Sequence, residues 1–136
     1  MQKDKPHKQR FLKYNAFSAW VYFKKLNNIR VKLYLSYSKD INNVAIDSNG
    51  LPNEINIPLS EYGYHGGGFE IETRLVMVLD QETKMPIHFR LVAGNICDVC
   101  TLINIATEMK NYGLNAGFML LDAGYYSDRN IRALYK

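Results

Sequence analysis

Cysteine is scarce: Cys97 and Cys100 are the only two in 136 residues. Two cysteines without a secretory signal make no disulfide framework, so a reducing cytoplasm is the expected compartment. Long apolar runs are missing as well; no segment reaches the roughly 20 residues that a membrane span needs, and no membrane partner is expected. The N-terminus does not read as a signal peptide, because Lys13 interrupts its aromatic stretch and no small-residue cleavage site follows. No internal repeat and no low-complexity segment is present. What is left is an ordinary soluble composition, 47% hydrophobic and 22% charged, long enough for one domain with a real core.

Acid is nearly absent from the first 32 residues. They hold Lys3, Lys5, Lys8, Arg10, Lys13, Lys24, Lys25, Arg30 and Lys32 against Asp4 alone. From residue 33 onward the balance reverses, with 8 basic residues against 12 acidic ones. A basic arm over residues 1–38 ahead of an acidic domain over 39–136 suits a polyanionic partner, most often nucleic acid. A solvated basic helix face accounts for the same charges.

Residues 11 to about 35 read as a helix. Leu12, Ala16, Ala19, Phe23 and Leu26 recur at three- and four-residue spacing, with Lys13, Lys24 and Lys25 off that stripe. The aromatics of this segment suit core or docking contacts; stacking on bases is the alternative. Val44-Ala45-Ile46, leading into Asp47, reads as a short strand. Asp47 to Asn53 has turn chemistry, and residues 53–69 read as irregular, ending in a flexible His65-Gly66-Gly67-Gly68 connection. Residues 70–80 form the clearest strand, and 87–91 alternate apolar and polar; the loop 81–84 makes them a hairpin. His88, Arg74 and Arg90 fall on the polar side of that hairpin, His88 with no special role and the two arginines as solvated charges. Asp98 stands where a helix N-cap belongs. Val99, Leu102, Ile103, Ala106, Met109 and Tyr112 give the helical stripe, and Gly113 stops it. Residues 116–121 make the next strand. Ser127 or Asp128 caps a last helix over 130–136, which has an apolar pattern and no C-cap, so the domain is expected to be incomplete on its C-terminal side.

The element order predicts an α/β fold. The first three strands can pair antiparallel, and the helix at 98–112 is long enough to return a parallel strand. If strand 116–121 lies beside strand 44–47, Asp47 and Asp122 emerge near carboxyl ends of neighbouring strands, where open α/β sheets bind ligands. Two carboxylates held that close repel unless a shared proton or a divalent cation neutralises them. Hard oxygen donors suit Mg²⁺ or Mn²⁺, and such ions serve phosphodiester displacement. Each aspartate also fits a plain turn former.

Four stretches carry a more specific signal: V-A-I-D-S-N-G-L-P-N from Val44, Y-G-Y-H from Tyr62, R-L-V-A-G-N-I-C-D-V-C-T-L from Arg90, and L-L-D-A-G-Y-Y-S-D-R-N-I-R-A-L-Y from Leu120. From about residue 40 onward the chain resembles the DDE transposases of bacterial insertion sequences, the insertion-sequence-four type closest. The resemblance implies an RNase H-like mixed sheet, Asp47 and Asp122 as the first two catalytic, metal-binding acids, and Mg²⁺ or Mn²⁺ as cofactor. It implies transposon-end and target DNA as partners, strand cleavage followed by strand transfer, and a place on the bacterial nucleoid. It also implies a third acid, a glutamate on a downstream helix. After Asp122 the only acid here is Asp128, at the expected helix cap. The chain is therefore expected to be the front of a catalytic domain, silent in DNA cleavage by itself. Lys13, Lys24, Lys25, Arg30, Tyr125 and Tyr126 are the candidate DNA contacts, although Tyr125 and Tyr126 suit a buried place near a strand end equally. Asp98 is a structural residue near the site.

Two rivals stand beside this reading. Cys97-Asp98-Val99-Cys100 is a C-x-x-C at an expected helix start, as in thioredoxin-like oxidoreductases. Here, however, it follows a hairpin, and one pair is a poor structural zinc site. The other rival is a non-catalytic fragment that binds DNA, or pairs with a second copy and interferes with it.

Overall fold

A computed structural model describes residues 6–37, 41–54, 59–65 and 67–135; for residues 6–20 and for His65 it describes the backbone alone. The expectations for the side chains of Lys13, the aromatics before residue 21 and His65 lie outside the described side chains. Helix α1 spans Pro6–Tyr37, 32 residues. It starts ahead of the expected Phe11 because Pro6 sits in the first turn, where its missing N–H costs nothing. The expected stripe holds at Phe23, whose ring meets Phe89 edge-on at 5.3 Å, but not at Leu26. Leu26 is 56% exposed, and the residues turned inward are Asn27, Val31, Tyr34 and Leu35. The cause is the surface that α1 meets. It packs on the outermost strand of a sheet rather than on a broad apolar face, and Asn27 and Arg30 hydrogen-bond that strand's backbone.

Among the described residues the sheet has five strands: β1 (Asn43–Pro52), β2 (Glu61–His65), β3 (Gly68–Asp80), β4 (Pro86–Ala93) and β5 (Phe118–Leu121). Its order is β2-β3-β1-β5, with β4 also on β3. β1 pairs antiparallel with β3 from Val44↔Asp80 to Pro52↔Glu72. β2 takes the first part of the other edge of β3 and β4 the rest, end to end. β5 runs parallel to β1, from Asn43↔Phe118 to Ile46↔Leu121.

The hairpin and the parallel return are as the sequence predicts. Two expectations for the strands need correction. The segment after Asp47 is not a turn: β1 continues to Pro52, because the 13-residue β3 offers a partner to every residue of it. Part of the segment 53–69, expected to be irregular, is strand β2, with Gly63 packed against Glu72 and the Gly94 carbonyl.

A 3-10 turn over Asp98–Cys100 precedes helix α2 (Leu102–Asn111). Asp98 is therefore not its N-cap; Thr101 holds that position without a side-chain bond. Leu102, Ile105 and Met109 are buried, each worth about 2 kcal/mol of transfer free energy. They cover Val44, Ile46, Val76 and Val78 of the sheet in one core. Gly113 ends α2 at φ +81, a conformation open to glycine. A second 3-10 turn, Ala123–Tyr125, and helix α3 (Asp128–Leu134) follow β5. Ser127 caps α3 by accepting from the Asn130 N–H at 3.1 Å. The protein is thus α/β; the described residues form a mixed open sheet with three α-helices, none of them long and apolar enough to cross a membrane.

Candidate active site

The site forms where β1 and β5 run side by side. Ile46 pairs with Leu121, and one step further along each strand stand Asp47 and Asp122. Asp122 ends β5 because the next three residues turn tightly, and its Oδ1 accepts the Gly124 N–H. Asp47, by contrast, lies inside β1 rather than at its carboxyl end. It is exposed, and its Oδ1 accepts the Ser48 N–H at 2.8 Å.

Asp98 joins this pair. Its Oδ1 accepts the Ser48 hydroxyl at 2.5 Å and the Arg74 Nη1–H at 3.0 Å. A Cβ on Gly124 would lie 2.9 Å from Asp122 Oδ1 and 3.5 Å from Asp98 Oδ2, so both carboxylates face that glycine. Asp98 thus touches the strand of Asp47 through Ser48 and approaches the turn of Asp122. Arg74 reaches the site because its partner on β1 is Gly50, which has no side chain in the way. It also meets the buried Glu72 at 3.4 Å. Burial opposes its charge, but Asp98 and Glu72 outweigh that and raise its pKa, so it stays a cation. Arg74 is not the solvated charge expected from the hairpin pattern.

Tyr125 shows the convergence most directly. It is 1% exposed, in the core beneath the site. Burial pushes its hydroxyl up to about 12; Asp98 adds to the rise, Ser48 opposes it, and Asp47 and Asp122 contribute further. One phenol therefore senses three carboxylates. Among the described residues, no three His, Cys, Asp or Glu side chains form a ready metal cage.

The remaining candidates separate. Arg30 is engaged by the fold: it donates to the Pro86 carbonyl at 2.8 Å and lies over the Phe89 ring. Tyr125 is buried, whereas Tyr126 is 70% exposed, and Lys24 and Lys25 are exposed on α1. His88, expected on the polar side with no special role, and Arg90, expected to be solvated, converge on Glu108 of α2, at 3.0 and 2.6 Å, and His88 is buried. Ser48 and Arg74 are the site residues that sequence reasoning missed. Ser48 was visible as the neighbour of Asp47; nothing short of the β1–β3 register marks Arg74. Comparison with protein-family models, with curated proteins and with solved structures gives no match.

Proposed function

We propose that this chain carries the first two acids of a DDE transposase of a bacterial insertion sequence, on an RNase H-like sheet. Its reaction class is metal-dependent strand cleavage and strand transfer on DNA. The observation that carries the reading is the parallel pairing of β1 with β5, which sets Asp47 and Asp122 side by side one step past Ile46↔Leu121. The sheet order β4-β3-β1-β5, with α2 crossing between β4 and β5, is compatible with the fold.

Each aspartate uses one oxygen on a neighbouring N–H, and the donors are hard oxygens, which fits Mg²⁺ or Mn²⁺. Asp47 and Asp122 would hold the ion, which supplies positive charge to a phosphodiester oxygen and to the attacking water or hydroxyl. The chain's own residues set the geometry. Asp98 fixes Ser48, and Arg74 holds the Asp98 carboxylate turned inward. Lys24, Lys25 and Tyr126 are exposed and would be the DNA contacts, on a nucleoid-associated protein that acts as a monomer or with a second copy. With no glutamate after Glu108, the chain itself holds no third acid of the DDE set and is expected to be silent in cleavage.

The test is a Mn²⁺ titration of the pure folded chain, read by electron paramagnetic resonance, beside a DNA-nicking assay. Weak Mn²⁺ binding that Asp47→Asn and Asp122→Asn each abolish supports the site. Folded chain that binds no Mn²⁺ sinks it, and nicking abolished by Asp47→Ala would overturn the expected silence. A second reading, a non-catalytic DNA-binding or interfering fragment, is favoured by the exposure of Lys24 and Lys25. Steeply salt-dependent DNA binding that survives Asp47→Ala selects it.

A further inference from the structure

The C-x-x-C of the sequence plays no part in the site above, yet its geometry is specific. Cys97 Sγ and Cys100 Sγ lie 3.0 Å apart, and both residues are exposed. The backbone between them is tied: Cys100 N–H donates to the Cys97 carbonyl at 3.0 Å, and Thr101 donates to the Asp98 carbonyl through both its N–H, at 2.9 Å, and its hydroxyl, at 2.8 Å. From inside the turn, the Asp98 carboxylate anchors it to Ser48 and Arg74. The fold thus presets two accessible sulfurs within about 1 Å of a bonded separation.

We propose that Cys97 and Cys100 are a redox-active dithiol, closed to an intramolecular disulfide by small-molecule disulfides, in the turn that carries Asp98. The Cys97 thiolate attacks one sulfur of the small disulfide, whose S–S bond breaks and releases one thiol. Cys100, deprotonated in turn, attacks the Cys97 sulfur of the mixed disulfide and expels the second thiol. Two protein thiols are oxidised, and one disulfide is reduced to two thiols. Cys100 follows rather than leads because its contact with the Cys97 sulfur raises the Cys100 pKa, so Cys100 gives up its proton later. The closed form pins the turn of Asp98 in the shape it already has. The dithiol stands independently of the transposase reading.

Preorganisation has a measurable consequence. If the fold favours closure, closure favours the fold by the same factor. The full chain is equilibrated with mixtures of reduced and oxidised glutathione, with and without concentrated urea, then alkylated and weighed. We expect the folded chain to close the pair about tenfold more readily than the unfolded chain, and the oxidised chain to resist urea better than the reduced one. Cys97→Ser and Cys100→Ser chains should each stop at one mixed disulfide. Equal closure in folded and unfolded chain, an oxidised chain no more stable than the reduced one, or mixed disulfides alone in the parent would each overturn the proposal.

Discussion

Ser48 donates its hydroxyl to Asp98 across 50 residues of sequence, and that bond joins the turn before α2 to the strand that holds Asp47. The same carboxylate oxygen takes Arg74, whose side chain is 16% exposed. Asp98→Ala leaves a half-buried guanidinium with only Glu72 and a hydroxyl without its acceptor. Its expected cost is about 2 kcal/mol, seen as a lower urea midpoint. Asp98→Asn keeps an acceptor for Ser48 and should cost about half as much. Equal stability of Asp98→Ala and the parent would mean that the carboxylate does not hold the turn.

Asn27 supplies the second tie between distant segments. Its amide donates to the Phe89 carbonyl at 2.5 Å and its oxygen accepts the Phe89 N–H at 3.3 Å, as a neighbouring strand would. α1 thereby covers the outer edge of β4, which otherwise offers unpaired backbone to any passing strand. Asn27→Leu keeps the bulk and removes both bonds. It should destabilise the chain by about 1–3 kcal/mol and increase light scattering at high concentration. An unchanged midpoint and a clear solution would show that α1 is not the guard of that edge.

Periodicity made β3, β4, α2 and the parallel return to β5 legible, because each has a full apolar pattern within one segment. It failed where a partner strand decides. Asp47-Ser48-Asn49-Gly50 has every mark of a turn, yet the length of β3 draws it into the sheet. β2, only five residues rich in tyrosine and glycine, carries no alternation to read. Asp98 looked like a cap because acid before an apolar stripe usually is one; the intervening 3-10 turn releases its carboxylate toward Ser48. His88 and Arg90 looked like plain polar-side residues for want of the knowledge that α2 lays Glu108 over them.

The far side of the sheet differs from the edge under α1. Among the described residues β5 pairs with β1 alone, and Phe118 and Leu120 are 74% and 62% exposed on it. Replacing both by lysine removes no core packing, so stability should stay within about 0.5 kcal/mol. The soluble concentration should rise, because charge on an open edge opposes strand addition. A sedimentation or light-scattering series against the parent reads this directly. Loss of folding in the double variant would show instead that these side chains are packed.

Acid should weaken the fold through Asp80, a buried carboxylate at the end of β3. Burial alone pushes that carboxyl up. Hydrogen bonds from the Thr83 and Tyr34 hydroxyls and from the Glu82 and Thr83 N–H groups outweigh it and hold the pKa at about 2, against an ordinary 3.8. A depressed pKa gives stability that is present above pH 3.8 and lost as pH falls toward 2, about 2 kcal/mol in all. Glu108, lowered on balance although burial opposes it, through His88, Arg90 and Lys24, adds a loss of the same sign below 4.5. Tyr34→Phe removes one donor to Asp80 and should flatten the acid limb of a stability-against-pH curve while leaving its slope above pH 5 unchanged. If parent and Tyr34→Phe lose stability in parallel between pH 4 and 2, the tyrosine does not hold Asp80 ionised.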